Sequence, residues 1–269
     1  MIVKNGIKSI IPISDLNNYY VVADFDKTIT NGASMTSWSI LAKSDLVPSE
    51  YINDRQVLYD KYRPIELDTS LDSETINKEM YTWFKSHAEL FVKYKITEEV
   101  FNKAALDKRK MEFRPYAKEF LKYLYDNNIP LIIISAGIGN FIEKFLEMHD
   151  CYYDNIYVSS NIIEFRDGVA SGVKNNIIHS FNKNEVSLSD DIKEKINNRK
   201  NVILLGDQLN DLNMVDYNKH DNVIKVGFIT SETEKYKKDF KAAFDLLIEQ
   251  NEDYCDVIKT LFNEVKKDE

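Results

Sequence analysis

The chain has little cysteine, no surplus of positive charge and no long apolar run, and each shortage excludes a class of protein. Its 269 residues hold two cysteines, Cys151 and Cys255, far apart and without metal-ligand spacing. A disulfide scaffold and a cysteine-held metal are therefore not expected, and a reduced, cytoplasmic setting is. The net charge is -9 and the isoelectric point near 5.1. A nucleic-acid backbone needs basic patches, so nucleic acid is excluded as the main partner. One small phosphorylated ligand in a local pocket is not. No apolar stretch approaches membrane-spanning length, so no membrane partner is expected. Residues 1–6 lack an apolar core and are expected not to be a signal peptide. No segment repeats or reads as a low-complexity linker.

Hydrophobic residues make up 43% and aromatics 12% of the chain, enough for a sizeable core. The length suits one α/β core with an insertion. Short apolar runs alternate with helical patterns, which predicts an α/β fold around a mostly parallel sheet. Strands are expected at 19–23, 131–134, 201–205, 223–226 and 244–248. A further extended run, 156–165, meets Val169 and its successors through Arg166-Asp167-Gly168, a hairpin signal. Pro115 opens a helix over 116–125, and Phe141, Ile142, Phe145 and Leu146 mark another. Residues 31–112 contain no convincing strand. Helices are expected from Pro48-Ser49-Glu50 to about Tyr62, over 74–94 and over 98–106. The domain reading is a core of 1–30 and 113–269, with 31–112 inserted as a helical cap beside the first strand end.

Four polar groups fall where these strands stop, the edge at which open α/β sheets bind ligands. Val21-Val22-Ala23 runs into Asp24-Phe25-Asp26-Lys27-Thr28. Leu131-Ile132-Ile133-Ile134 runs into Ser135-Ala136-Gly137-Ile138-Gly139. Val202-Ile203-Leu204-Leu205 runs into Gly206-Asp207-Gln208-Leu209-Asn210-Asp211, and Lys183 lies upstream in Phe181-Asn182-Lys183. Acids capping a core strand are costly unless they hold a metal or react. A carboxylate can attack phosphorus, and a second one two residues on can exchange a proton with the leaving oxygen and then with water. A serine hydroxyl and the amides after it can hold phosphate oxygens. A lysine neutralises their charge in the transition state. Asp24 and Asp207 can share a hard cation such as Mg²⁺. Each piece alone reads as a turn, a cap or a solvated lysine. Together and in this order they read as phosphoryl chemistry.

These motifs resemble the haloacid dehalogenase superfamily. Further segments resemble the cytosolic 5'-nucleotidase III, or pyrimidine 5'-nucleotidase, family: Lys61-Tyr62 leading to Ile65-Glu66-Leu67-Asp68, Trp83 through Lys85-Ser86-His87, Ser135-Ala136-Gly137-Ile138-Gly139, Val158-Ser159-Ser160-Asn161, Ile178-His179-Ser180-Phe181-Asn182-Lys183 and Leu204-Leu205-Gly206-Asp207. The resemblance spans about 21–258. It implies a Rossmann-like core with a C1-type helical cap, acting as a monomer on a nucleoside monophosphate. It also implies roles: Asp24 as nucleophile and Mg²⁺ ligand, Asp26 as general acid/base giving its main-chain carbonyl to the metal, and Asp207 as the remaining protein ligand. Thr28 and Asp211 support them. Ser135, Ala136 and Lys183 hold the phosphate, and Glu66 and Ser86 contact the nucleoside. Trp83 and His87 can stack on a base, although their spacing also fits a buried helix face. Lys27, the short loop 31–45 and the middle of 206–211 depart from the family pattern and leave the preferred base open, with 7-methyl-GMP, phosphoserine or a sugar phosphate as other substrates. A binding protein without catalysis is the rival from another class.

Overall fold

The computed structural model describes residues 2–3, 11–68, 70–107, 110–174, 176–249 and 252–262. Of the segment 1–6, only Ile2 and Val3 lie within it. In chain order the elements are β1 (Ile2–Val3), β2 (Tyr19–Ala23), α1 (Ser37–Ala42), α2 (Ser49–Glu66), α3 (Ser73–Lys93), α4 (Glu98–Ala105), α5 (Ala117–Asp126), β3 (Leu131–Ile138), α6 (Gly139–Met148), β4 (Ile156–Asn161), β5 (Ile163–Arg166), β6 (Val169–Val173), α7 (Asp190–Ile196), β7 (Asn201–Gly206), β8 (Asn222–Phe228), α8 (Lys237–Ala243), β9 (Leu246–Ile248) and α9 (Tyr254–Phe262).

Among the described residues seven strands form one sheet in the order β1-β9-β8-β7-β2-β3-β4, parallel throughout except at β1. β2 is central because both its faces are covered: all five residues are buried, two of them valines. Such runs belong in parallel sheets, and each valine so buried is worth roughly 1.5–3 kcal/mol. From β2 the chain winds outward to β3 and β4, then returns to add β7, β8 and β9 on the other side. Strand order therefore reverses at β2, where such sheets open a crevice. Ala23 pairs with Ile133 on one side and Leu205 on the other. The residues that follow these three leave the sheet along one edge.

The run 156–165 is two strands. Asn140 takes both backbone groups of Ile163, accepting its N–H at 2.8 Å and donating to its carbonyl at 3.1 Å. That ends the ladder of β4 and turns β5 into a hairpin with β6. The strand expected at 244–248 begins only at Leu246, because Phe244 still bonds back to Phe240. α2 continues beyond Tyr62 through Pro64 to Glu66. Within 31–45, residues Ser37–Ala42 form a helix.

The insert packs in two ways. Phe101 of α4 stacks on Phe141 of α6 at 5.0 Å, and Phe91, Ile40 and Leu41 join the same hydrophobic core as the sheet. The hairpin adds to it, with Ala170 N–H bonded to the Ile96 carbonyl at 2.9 Å. The end of α2 and the first half of α3 instead form a small cluster of their own, Tyr62, Ile76, Met80 and Trp83, against which Phe84 and Phe181 lean.

Candidate active site

The sheet edge brings Asp24, Asp207 and Asp211 together, all buried, with a carboxylate oxygen of each within 4.8 Å of the others. Lys183 closes the group. Its Nζ contacts Asp24 Oδ1 and Asp211 Oδ1, the latter at 2.9 Å. Asp211 Oδ2 accepts the main-chain N–H groups of Asp207 and Gln208 at 3.1 and 2.9 Å. A Cβ on Gly206 would lie 2.5 Å from that of Asp211, so this close approach requires glycine.

Asp26 points the other way. Ser37 donates to it twice, from N–H at 3.2 Å and from Oγ at 3.3 Å, and Ser37 Oγ accepts the Ile138 N–H at 2.9 Å. Ser135 is buried, and its Oγ accepts the Gly137 N–H at 3.0 Å, which leaves the hydroxyl proton free to donate. A Cβ on Gly137 would stand 2.5 Å from Ser37 Oγ and 3.2 Å from Asp26 Oδ2. Only glycine lets the serine loop approach Asp26 so closely. The Ala136 carbonyl accepts from Trp38 Nε1 at 2.8 Å and from Asn161 Nδ2 at 2.9 Å. Asn161 also grips both backbone groups of Ile178, which ties the serine loop to the loop carrying Lys183.

Two buried side chains hold these loops from behind. Arg114 donates to the carbonyls of Lys27 and Thr28 at 2.5 and 3.2 Å, fixing a turn in which Lys27 has φ +66°. Thr28 is fully buried, and its Oγ1 has no hydrogen-bond partner among the described residues. Glu185, two residues beyond Lys183, accepts from Tyr20 at 2.7 Å, His220 Nε2 at 2.8 Å and the Asp216 N–H at 2.8 Å. Among the described residues His220 Nδ1 meets no partner, whereas Nε2 faces a carboxylate that can only accept, which gives Glu185 three donors.

Burial dominates the electrostatics. It raises Asp24 above the ordinary carboxylate range, against the pull of Lys183 and with a push from Asp211. It raises Asp26 to about 6, moderated by the bonds from Ser37. Asp207 is raised well above its ordinary value by burial and by the Asp211 and Asp24 charges. Burial alone would lower Lys183, but Asp211 and Asp24 reverse this and leave it firmly cationic. Three buried carboxylates against one ammonium leave unbalanced negative charge, and the donors are all hard oxygens. This set fits a divalent cation such as Mg²⁺.

Glu66, at the end of α2, accepts from Ser180 Oγ at 3.0 Å and pairs with Arg63. Ser180 lies three residues before Lys183, so the insert's acid meets the loop that supplies the cation. Nearby, Phe84 stands edge-on to Trp38 at 5.5 Å and tilted to His179 at 6.3 Å. Ser86 lies apart from these rings, in a groove between α2 and α3 with Leu58, Glu89 and Leu90. Trp83 is buried, stacked on Tyr62 at 6.0 Å, and donates to His87 Nε2 at 3.2 Å. Sequence reasoning missed Ser37, Trp38, Phe84, Gln208 and Arg114. Gln208 donates to Asp207 Oδ2 at 2.9 Å. Thr36-Ser37 ahead of Ile40-Leu41 was the one available signal, a helix start beside the first motif.

A central parallel strand ending in two acids, with a lysine, a serine loop and further acids on its neighbours, defines a phosphatase of the haloacid dehalogenase type. The fold agrees. A substrate-bound phosphoserine phosphatase structure matches with a TM-score of 0.57, covering 96% of this chain and 100% of that one, at 16% identity. The chain belongs to the pyrimidine 5'-nucleotidase (UMPH-1) family, whose model matches residues 24–266, and is a phosphoric monoester hydrolase. The crystal structure of cytosolic 5'-nucleotidase IIIB bound to cytidine is similar, with a TM-score of 0.81, 27% identity and coverage of 92% of this chain and 87% of that one. The 7-methylguanosine phosphate-specific 5'-nucleotidases of Homo sapiens and Drosophila melanogaster are each 30% identical to it. They align over 91% and 92% of this chain and 84% and 80% of theirs.

Proposed function

We propose that the chain hydrolyses nucleoside 5'-monophosphates through a phosphorylated Asp24. Asp24 attacks phosphorus, the bond to the 5' oxygen breaks, and Asp26 gives that oxygen its proton. Water then attacks the phosphorus of the aspartyl phosphate, Asp26 takes a proton from that water, and the bond to the Asp24 oxygen breaks to release phosphate. A half-buried carboxyl raised to about 6 suits both transfers near neutral pH. Lys183 offsets charge on the phosphate oxygens, and Ser135 and the Ala136–Gly137 main chain hold them. Asp24, Asp207 and the Asp26 carbonyl would hold Mg²⁺, with Asp211 supporting; the ion supplies Lewis-acid polarisation of the phosphate. The insert, 31–112, acts as the cap that covers this site, and the setting is cytoplasmic.

The observation that carries the nucleotide reading is the contact between Glu66 and Ser180. It seats a carboxylate of the insert beside the phosphate-holding loop, where a base's amino group can donate to it. Trp38 and Phe84 offer ring faces nearby. Cytosine meets these requirements. The names of the human and fly relatives support 7-methylguanine as the alternative.

Phosphate release from CMP, UMP, 7-methyl-GMP and phosphoserine, with Mg²⁺ and with chelator, tests the reading. Mg²⁺-dependent release from the nucleotides is expected, and Asp24→Asn abolishes it while leaving the fold intact. Turnover of phosphoserine alone, or full activity in Asp24→Asn, rejects the proposal.

A further inference from the structure

The carboxylate at the end of α2 is already engaged by a cation. Glu66 and Arg63 lie one turn apart on either side of Pro64, with Arg63 Nη1 on Glu66 Oε2 and Ser180 on Oε1. The glutamate side chain is only 13% exposed, the arginine 37%. Lys27 holds Glu232 at 2.5 Å, and Glu232 adds to the negative field at Arg63. The guanidinium thus has carboxylates around it and stays charged.

We infer that Arg63 determines base preference: by pairing with Glu66 it makes the base subsite accept a neutral base bearing an amino donor and reject a cationic, N-alkylated purine. This rests on the nucleotidase reading above. A carboxylate offers about four lone-pair directions, and Arg63 and Ser180 occupy two. A neutral amino group uses a remaining one without disturbing the pair. A cationic base has two options. It binds beside the guanidinium, where like charge opposes it, or it displaces Arg63 and loses the existing pair. Either cost falls on the cationic base alone, so selectivity comes from a repulsive element as much as from an attractive one. Trp38 and Phe84 attract a cationic base through their ring faces, but they do so in part for any flat base. The charge pair therefore decides between the two.

The test is kcat/KM for CMP and for 7-methyl-GMP in the wild type, Arg63→Gln and Arg63→Lys. The wild type is expected to favour CMP. Arg63→Gln keeps a donor but loses the charge, and should raise the 7-methyl-GMP to CMP ratio about tenfold (about 1.4 kcal/mol), chiefly through KM. Arg63→Lys keeps the charge and should retain the wild-type ratio. A ratio in Arg63→Gln within about twofold of wild type overturns the inference. So does a lysine variant that shifts as far as glutamine, or a wild type that prefers 7-methyl-GMP. Each of those outcomes leaves nucleotidase activity in place. A wild type that releases phosphate from neither nucleotide rejects the underlying reading instead, and this inference with it.

Discussion

Asp26 is a carboxyl whose proton affinity is set by two opposing neighbours, the apolar interior that raises it and Ser37 that restrains it. The Ser37 bonds favour the ionised form, so removing the hydroxyl should lift the Asp26 pKa further above 6. In Ser37→Ala the limb of the kcat–pH profile governed by Asp26 is expected to move to higher pH by about one unit. An unmoved limb would assign it to another group. At this scale the acids and Ser135 were legible because they come after apolar runs that read as core strands, whereas Lys183 lies in a loop and stood out only from its place among the other motifs and the family resemblance. Ser37, Trp38 and Phe84 were not legible. An aromatic at helical spacing reads as core, and only the packing of α1 against α3 turns Phe84 toward Trp38 and His179.

Among the elements, α3 carries a buried histidine whose neutrality costs acid stability. Burial lowers His87 to about 3, with Arg55 adding to the effect, and lowers His179 to about 4. In the unfolded chain both titrate near 6.5. The contribution of neutral His87 is thus complete above pH 6.5 and is lost as pH falls from there toward 3, because the unfolded chain takes up a proton that the folded one does not. Denaturation across pH 4–6.5 should show wild-type stability falling by about 1.4 kcal/mol per pH unit more steeply than in His87→Gln. Glutamine can still accept from Trp83 and does not titrate. Equal slopes would mean that His87 is not held neutral. Element types followed from periodicity, whereas several boundaries did not. α2 passes Pro64 because proline removes only one donor near the helix end. β4 and β5 part because Asn140, distant in sequence, takes the backbone groups of Ile163.

For the molecule as a whole, three buried carboxylates at one sheet edge are a stability cost kept for chemistry. Asp207→Asn is expected to raise the melting temperature in chelator while abolishing turnover. Mg²⁺ should raise the wild-type melting temperature, by a stability increment of about 2.7 kcal/mol at a hundredfold its Kd, and leave the variant unmoved. A variant that melts earlier in chelator, or responds to Mg²⁺ like the wild type, would remove Asp207 from the proposed ligand set. The two packing units of the insert have a consequence of another kind. Phe91 and Phe101 are welded into the core that supports catalysis, while Tyr62, Ile76, Met80 and Trp83 form a separate unit beneath Glu66. On the proposed reading, mutations that retune what is chosen fall in one hydrophobic cluster, and those that would damage how it is cleaved fall in the other. A lineage can therefore change its diet without relearning its chemistry.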